Sequence, residues 1–298
     1  MTAKQDPAAA DDAPVQAPPP ETVYAEELGF LAAWDPGERP PGWRLTPRAV
    51  VTFIVGSGGD TLKLAAGKAA PKGVAAADLA EALQDAWRRF HRGDFQGAFE
   101  AGEKLGPVGA SVAVKAIGIH AAYLVADEAD RLARFERAGA LAEAAIGALP
   151  GEANSHYRYA FAMGRYSQGI SIGKALKLGL ATKVRQALDA ALEREPKHAE
   201  AHTALALYHG EIIGKIGALI GGMTYGAKAG EADKHIQAAA KLTPDSPIVH
   251  AEHGNLLLLL HGDKREDDAA AAYEKAGKLK PRDAMEALDR AWARAQIE

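Results

Sequence analysis

The chain has no cysteine in its 298 residues, which excludes disulfide staples and thiolate metal sites. It is also poor in aromatic residues, at 6% against 48% hydrophobic residues overall, so alanine carries much of the apolar count. Ala-rich, aromatic-poor chains favour close-packed helices over β-sandwiches, because alanine is the best helix former and a poor sheet former. An excess of one charge is missing too. Lys and Arg number 35 against 39 Asp and Glu, a formal net charge of −4, which argues against a nucleic-acid binder driven by bulk charge. The N-terminus MTAKQDPAAADDAPVQAPPP has no apolar h-region behind Lys4. It is therefore not read as a secretory signal, and cytoplasmic residence is expected. Its Ala, Pro and Asp content predicts a disordered tail over residues 1–20.

Several motifs of catalysis are missing as well. No G-x-S-x-G elbow occurs. The glycines of GSGGD at Gly56–Asp60 and of AAGKAA do not make a phosphate loop, because Gly67-Lys68 is followed by Ala69 rather than Ser or Thr. His198 and His202 stand one helical turn apart, but H-E-x-x-H is not met, and packing is favoured over zinc ligation. The acidic and basic residues Asp127, Glu128, Asp130, Arg131 and Arg134 are explained by pairing along one helix face. No catalytic, cofactor or metal residues are assigned, and the expectation is a non-enzymatic protein.

What is present is internal repetition. Five Ala/Leu-rich helical stretches end in proline: FEAGEKLGP at Pro107, AEAAIGALP at Pro150, LDAALEREP at Pro196, IQAAAKLTP at Pro244 and YEKAGKLKP at Pro281. A new helical stretch follows each of them. Proline just past a helix end, followed by an N-capping residue, punctuates helix-turn-helix units. Six residues after three of the prolines stand His156, His202 and His250, and four residues later Ala160, Ala206 and Gly254.

This pattern resembles the tetratricopeptide-repeat (TPR) superfamily over roughly residues 80–298, with a large residue early in the first helix, a small one four later, and a closing proline. Ala98 with Phe95, Ala187, and Ala270 with Tyr273 fit the second helices. The likeness extends to a bacterial TPR-like group distantly similar to the regulator-of-microtubule-dynamics proteins and the T-component of TRAP transporters. It implies an all-α, α-α superhelical solenoid that acts as a scaffold or adaptor without enzymatic activity. Two units depart from the usual length of about 34 residues. SQGISIGKALKLGLATK at Ser167–Lys183 and GEIIGKIGALIGGMTYGAKAG at Gly210–Gly230 are read as long helical insertions after a first helix. The second places Gly210, Gly214, Ala218, Gly222, Gly226 and Gly230 every fourth residue. Its apolar run, Ile212–Tyr225 apart from Lys215, falls short of the roughly 20 residues of a membrane span. The small-residue stripe predicts that the two insertions pack on each other, with a break near Gly221-Gly222 and destabilisation by leucine at Gly214 or Gly226.

Residues 21–75 differ from the repeats. PPGWRLTPRAV resembles the lead-in of MoxR-type AAA+ ATPases, which implies a docking segment for such a system and a repeat domain confined to residues 76–298. By the superfamily pattern, inner-groove side chains map to Asn154, Tyr157, Phe161 and Arg165, to Glu200, Thr203 and Leu207, and to Asn255. Between Glu152 and Asp189 no acidic residue interrupts a series of basic ones that includes Lys174 and Lys177. The second insertion adds Lys215 and Lys228 with no acid between Glu211 and Glu231. Stacked, these segments would form one positive patch for an acidic peptide or carboxylate, or for anionic lipid in a membrane-peripheral protein; a solvated face is the alternative.

Overall fold

A computed structural model describes residues 76–298. The expected N-terminal tail and the 21–75 docking segment, with the glycines at 56–60, lie outside the described residues. Within them the chain is all-helical and has no strand. Helix α1 spans Ala76–His91 and α2 Phe95–Lys104; a 3₁₀ turn at Gly106–Gly109 then leads into α3, Ala110–Leu124. Next come α4 (Glu128–Ala148), α5 (Ala153–Gln168), the short α6 (Ile172–Lys177) and α7 (Leu180–Arg194). The rest are α8 (Ala199–Ile216), α9 (Ala218–Tyr225), α10 (Ala229–Leu242), α11 (Pro247–His261), α12 (Glu266–Lys278) and α13 (Ala284–Ala295).

Local chemistry sets these boundaries. The Asp94, Asp127, Glu152, Ser171 and Asp283 side chains each accept a backbone N–H of the first turn of the helix that follows, meeting donors that would otherwise be orphaned. His198 does the same for α8 through Nδ1, which accepts the Ala201 N–H at 3.2 Å. The repeated histidines close the turns behind them. His156 Nε2 lies 2.9 Å from the Pro150 carbonyl, His202 Nε2 3.0 Å from that of Pro196, and His250 Nε2 2.7 Å from that of Pro244. Each ring donates across the turn to the carbonyl six residues back, so the histidine slot is a clamp as well as a packing position.

Each long helix packs on the next long one along the chain, and the first helices of the pairs also touch their successors: α1 with α3, α3 with α5, α5 with α8, α8 with α11, and α11 with α13. Alanine permits this spacing; Ala98, Ala116, Ala138, Ala206 and Ala251 are fully buried. The last helix then returns to the first. Ala284, Ala287 and Leu288 of α13 join Trp87 and Phe90 of α1, Phe95 of α2, and Val112 and Ile119 of α3 in one apolar cluster.

The glycine stripe does not join the two insertions. A Cβ at Gly210 would lie 2.6 Å from Leu256 Cδ1, and one at Gly214 3.4 Å from Leu259 Cδ2, so this smooth face of α8 receives α11. In the earlier insertion Gly169 faces Leu132 of α4, while Gly173 faces open space. The helix breaks at Gly217 (φ 82°, ψ 156°), not at Gly221-Gly222, and Gly226 ends α9 in the left-handed conformation at φ 67°. The apolar Ile, Leu and Met between these glycines therefore form a separate short helix exposed beside α8. Among the described residues one helical stretch, Gly106–Leu124, is long and apolar enough to cross a membrane, and 67% of its apolar window is buried inside the fold.

Candidate binding chamber

The inner faces of α3, α5, α8, α11 and α13 surround a chamber of about 900 Å³, with α6 and α9 also contributing to its wall. Much of that wall is apolar, with Ile119, Phe161, Leu207, Ile248 and Met285 among its residues, but ion pairs cross it. Lys115 Nζ on α3 reaches Glu200 Oε1 on α8 at 2.9 Å, and Arg158 of α5 approaches the other oxygen of Glu200 at 3.6 Å. Burial alone would raise the Glu200 carboxyl, but Lys115 and Arg158 outweigh it and hold the group far below the usual carboxylate range. Arg165 on α5 reaches Glu252 on α11 at 3.0 Å. Glu252 is held from behind, since Asn255 Nδ2 donates to it at 2.7 Å and Tyr273 Oη donates to Asn255 Oδ1 at 2.7 Å.

Helix α13 completes the wall. Asp283 lies 2.6 Å from His91 Nδ1 of α1, and Glu286 is bound by Arg282. Tyr123 Oη of α3 donates to Asp289 Oδ1 at 2.5 Å, while Asp289 Oδ2, also buried, has no hydrogen-bond partner. Burial pushes the Asp289 carboxyl well above its ordinary range, and burial pushes the Tyr123 and Tyr157 hydroxyls up as well.

Six of the anticipated residues, Tyr157, Phe161, Arg165, Glu200, Thr203 and Lys215, line this chamber, as does Leu207. Thr203 gives its hydroxyl to the Ala199 carbonyl of its own helix, and Lys215 pairs with Glu211 at 2.9 Å. Asn154 and Asn255 are not lining residues; each supports a neighbour. Asn154 Oδ1 accepts from His198 Nε2 at 3.0 Å, and burial lowers that histidine to about 4. Lys174, Lys177 and Lys228 are exposed and do not line the chamber. Lys174 lies over the Tyr166 ring, 5.4 Å from its centroid.

The chamber itself is therefore not the basic groove the insertions suggested. Its lining holds Glu200, Glu211, Glu252, Asp283, Glu286 and Asp289 against Lys115, Arg165, Lys215 and Arg282. Sequence reasoning missed Lys115 and Tyr123, because α3 carries no histidine in the repeat slot, and Asp289, because the return of α13 to α1 is a long-range event. Around the mouth, α6 and α9 expose large apolar side chains: Ile172 is 56% exposed, Leu176 57%, Leu219 77%, Ile220 58% and Met223 82%. Of these, Ile172, Leu176 and Ile220 also line the chamber.

No group of three or more His, Asp or Glu side chains among the described residues is placed to hold a metal ion. Fold and site define an all-α protein whose successive helix pairs wrap an apolar chamber with a charged wall. Scanned against protein-family models the chain finds no match, and a search of curated proteins finds none either.

Proposed function

We propose that the chain is a TPR-like helical-repeat scaffold that binds a protein or peptide partner through the chamber, without catalysis of its own. The pocket volume of about 900 Å³ carries this reading, because a pocket of that size with mostly apolar lining and a few fixed polar groups is the usual form of a binding site. The order of helix contacts supports the solenoid, since each unit touches its sequence neighbours. The histidine-to-proline clamps at three equivalent turns support repetition of one structural unit. Docking to an AAA+ ATPase attaches to residues 21–75, and the chamber reading stands without it. A photo-crosslinking residue at Phe161, inside the chamber, is expected to form a discrete adduct with the partner in cells. The same residue at Glu143, on the outer side of α4, is expected to form none; equal adducts from both, or none from Phe161, would refute chamber binding.

A second reading is favoured by the rim. Exposed Leu219, Ile220 and Met223, together with exposed Lys174, Lys177 and Lys228, have the composition of a surface that lies on anionic lipid. Flotation with vesicles containing phosphatidylserine, lost on Leu219→Glu with Met223→Glu, is the expected result. Failure of the wild-type chain to float removes this reading and leaves the chamber untouched.

A further inference from the structure

Every carboxylate of the chamber except one has a cation or an imidazole beside it. Glu200, Glu211, Glu252 and Glu286 face Lys or Arg, and Asp283 faces His91. Asp289 has only a phenol in hydrogen-bond reach, with Lys115 acting on it from further off. It is 1% exposed, its Oδ1 takes the Tyr123 hydroxyl, and its Oδ2 is unpartnered although the residue lines the chamber. A buried polar atom without a partner is rare in a folded protein and calls for an explanation, of which a bound polar group is one.

We infer that the chamber takes a ligand with an apolar chain ending in a primary ammonium, and that the Asp289 carboxylate receives that ammonium. This rests on the chamber being the binding site. The apolar lining, including Ile119, Phe161 and Met285, accepts the chain. Tyr123 holds Oδ1, and Oδ2 is the oxygen left to receive the ligand. Burial disfavours the charged form of the carboxyl; an ammonium beside it favours that form and makes a charge-assisted pair, stronger than a neutral hydrogen bond. An alkylamine and a lysine side chain flanked by apolar residues present the same chemistry.

The test is calorimetric titration of the full chain at pH 7 with octylammonium, octanoate, octanol and an acetylated, amidated Leu-Leu-Lys-Leu peptide. Octylammonium is expected to bind at least about tenfold more tightly than octanoate or octanol. Asp289→Asn should remove that preference, bringing the octylammonium affinity down to that of octanol for the same variant. Binding by octylammonium alone identifies a free amine, and binding by the peptide identifies a partner's lysine. Equal affinity for the three small probes would overturn the inference yet leave the chamber a binding site. Undiminished ammonium binding by Asp289→Asn would also overturn it and reduce Asp289 to a structural partner of Tyr123. If no probe binds, the inference fails, and crosslinking from Phe161 separately decides whether the chamber binds at all. Should the variant not fold, the wild-type preference among the probes decides alone.

Discussion

At the scale of single residues, histidine does most of the unusual work. The three clamps each join a ring Nε2–H to a proline carbonyl across a turn, and a typical intramolecular hydrogen bond contributes about 1 kcal/mol net. His202 goes further. With Nε2 donating to Pro196, its bare Nδ1 accepts from His235 Nδ1, 2.8 Å away, so His202 bonds through both ring nitrogens. Burial lowers His120, His156, His235, His250 and His253, and lowers His198 and His209 to about 4. These folded values lie below the unfolded histidine value of about 6.5, so the unfolded chain takes up protons first as the pH falls. Their contribution to stability is complete above about pH 6.5 and is lost as the pH falls from there toward 4. Asp289 and Glu152, raised by burial, have the opposite sign, but the histidines outnumber them in this window. The melting temperature is thus expected to fall between pH 7 and pH 5, and a flat profile would show that the rings titrate normally. His250→Ala should cost about 1 kcal/mol at pH 7, a loss of roughly 2–4 °C for a domain of this size.

At the scale of elements, the glycine stripe of α8 separates into positions with different duties. Gly210 lets α11 approach; a Cβ there would meet the buried Leu256 at 2.6 Å. Gly214 has ordinary contact distance to Leu259, and Gly226 holds a left-handed cap. Gly210→Ala should therefore destabilise by about 1–3 kcal/mol through overpacking. Gly214→Ala should be neutral or stabilising by up to about 1 kcal/mol, since alanine is the better helix former. Gly226→Ala should cost about 1–2 kcal/mol for a side chain in the left-handed region. Urea denaturation of the three variants checks the order, and equal effects would count against the seam. The stripe was legible in the sequence, because every-fourth spacing is a local property. Its partner was not: whether a smooth face meets α6 or α11 depends on how successive pairs rotate, and no local pattern records that. The proline punctuation and the histidine slot were legible for the same local reason, which is why the helix pairs were found and their closing contacts were not.

At the scale of the whole molecule, the decisive event is the return of α13 to α1. It seals the apolar cluster of Trp87, Phe90, Val112, Ile119 and Leu288, and it delivers Asp283 to His91 and Asp289 to Tyr123. Helix α13 touches α1, α11 and α12, and it closes one side of the chamber. First-helix spacing pointed to Tyr157, Phe161, Arg165 and Glu200; the closure adds Arg282, Asp283, Met285, Glu286 and Asp289 to the same lining. Leu288 is only 8% exposed, so Leu288→Ala should cost about 2 kcal/mol or more through lost burial and an imperfectly filled gap. Deleting residues 281–298 strips the part of the cluster's cover that Ala284, Met285, Ala287 and Leu288 supply. The truncated chain should melt well below the full one, bind the dye ANS through its uncovered Trp87 and Phe90, and lose all binding of octanol in the chamber. A truncated chain that keeps its melting temperature and its octanol binding would mean that the chamber is closed by the remaining helices, and that α13 only rests against them.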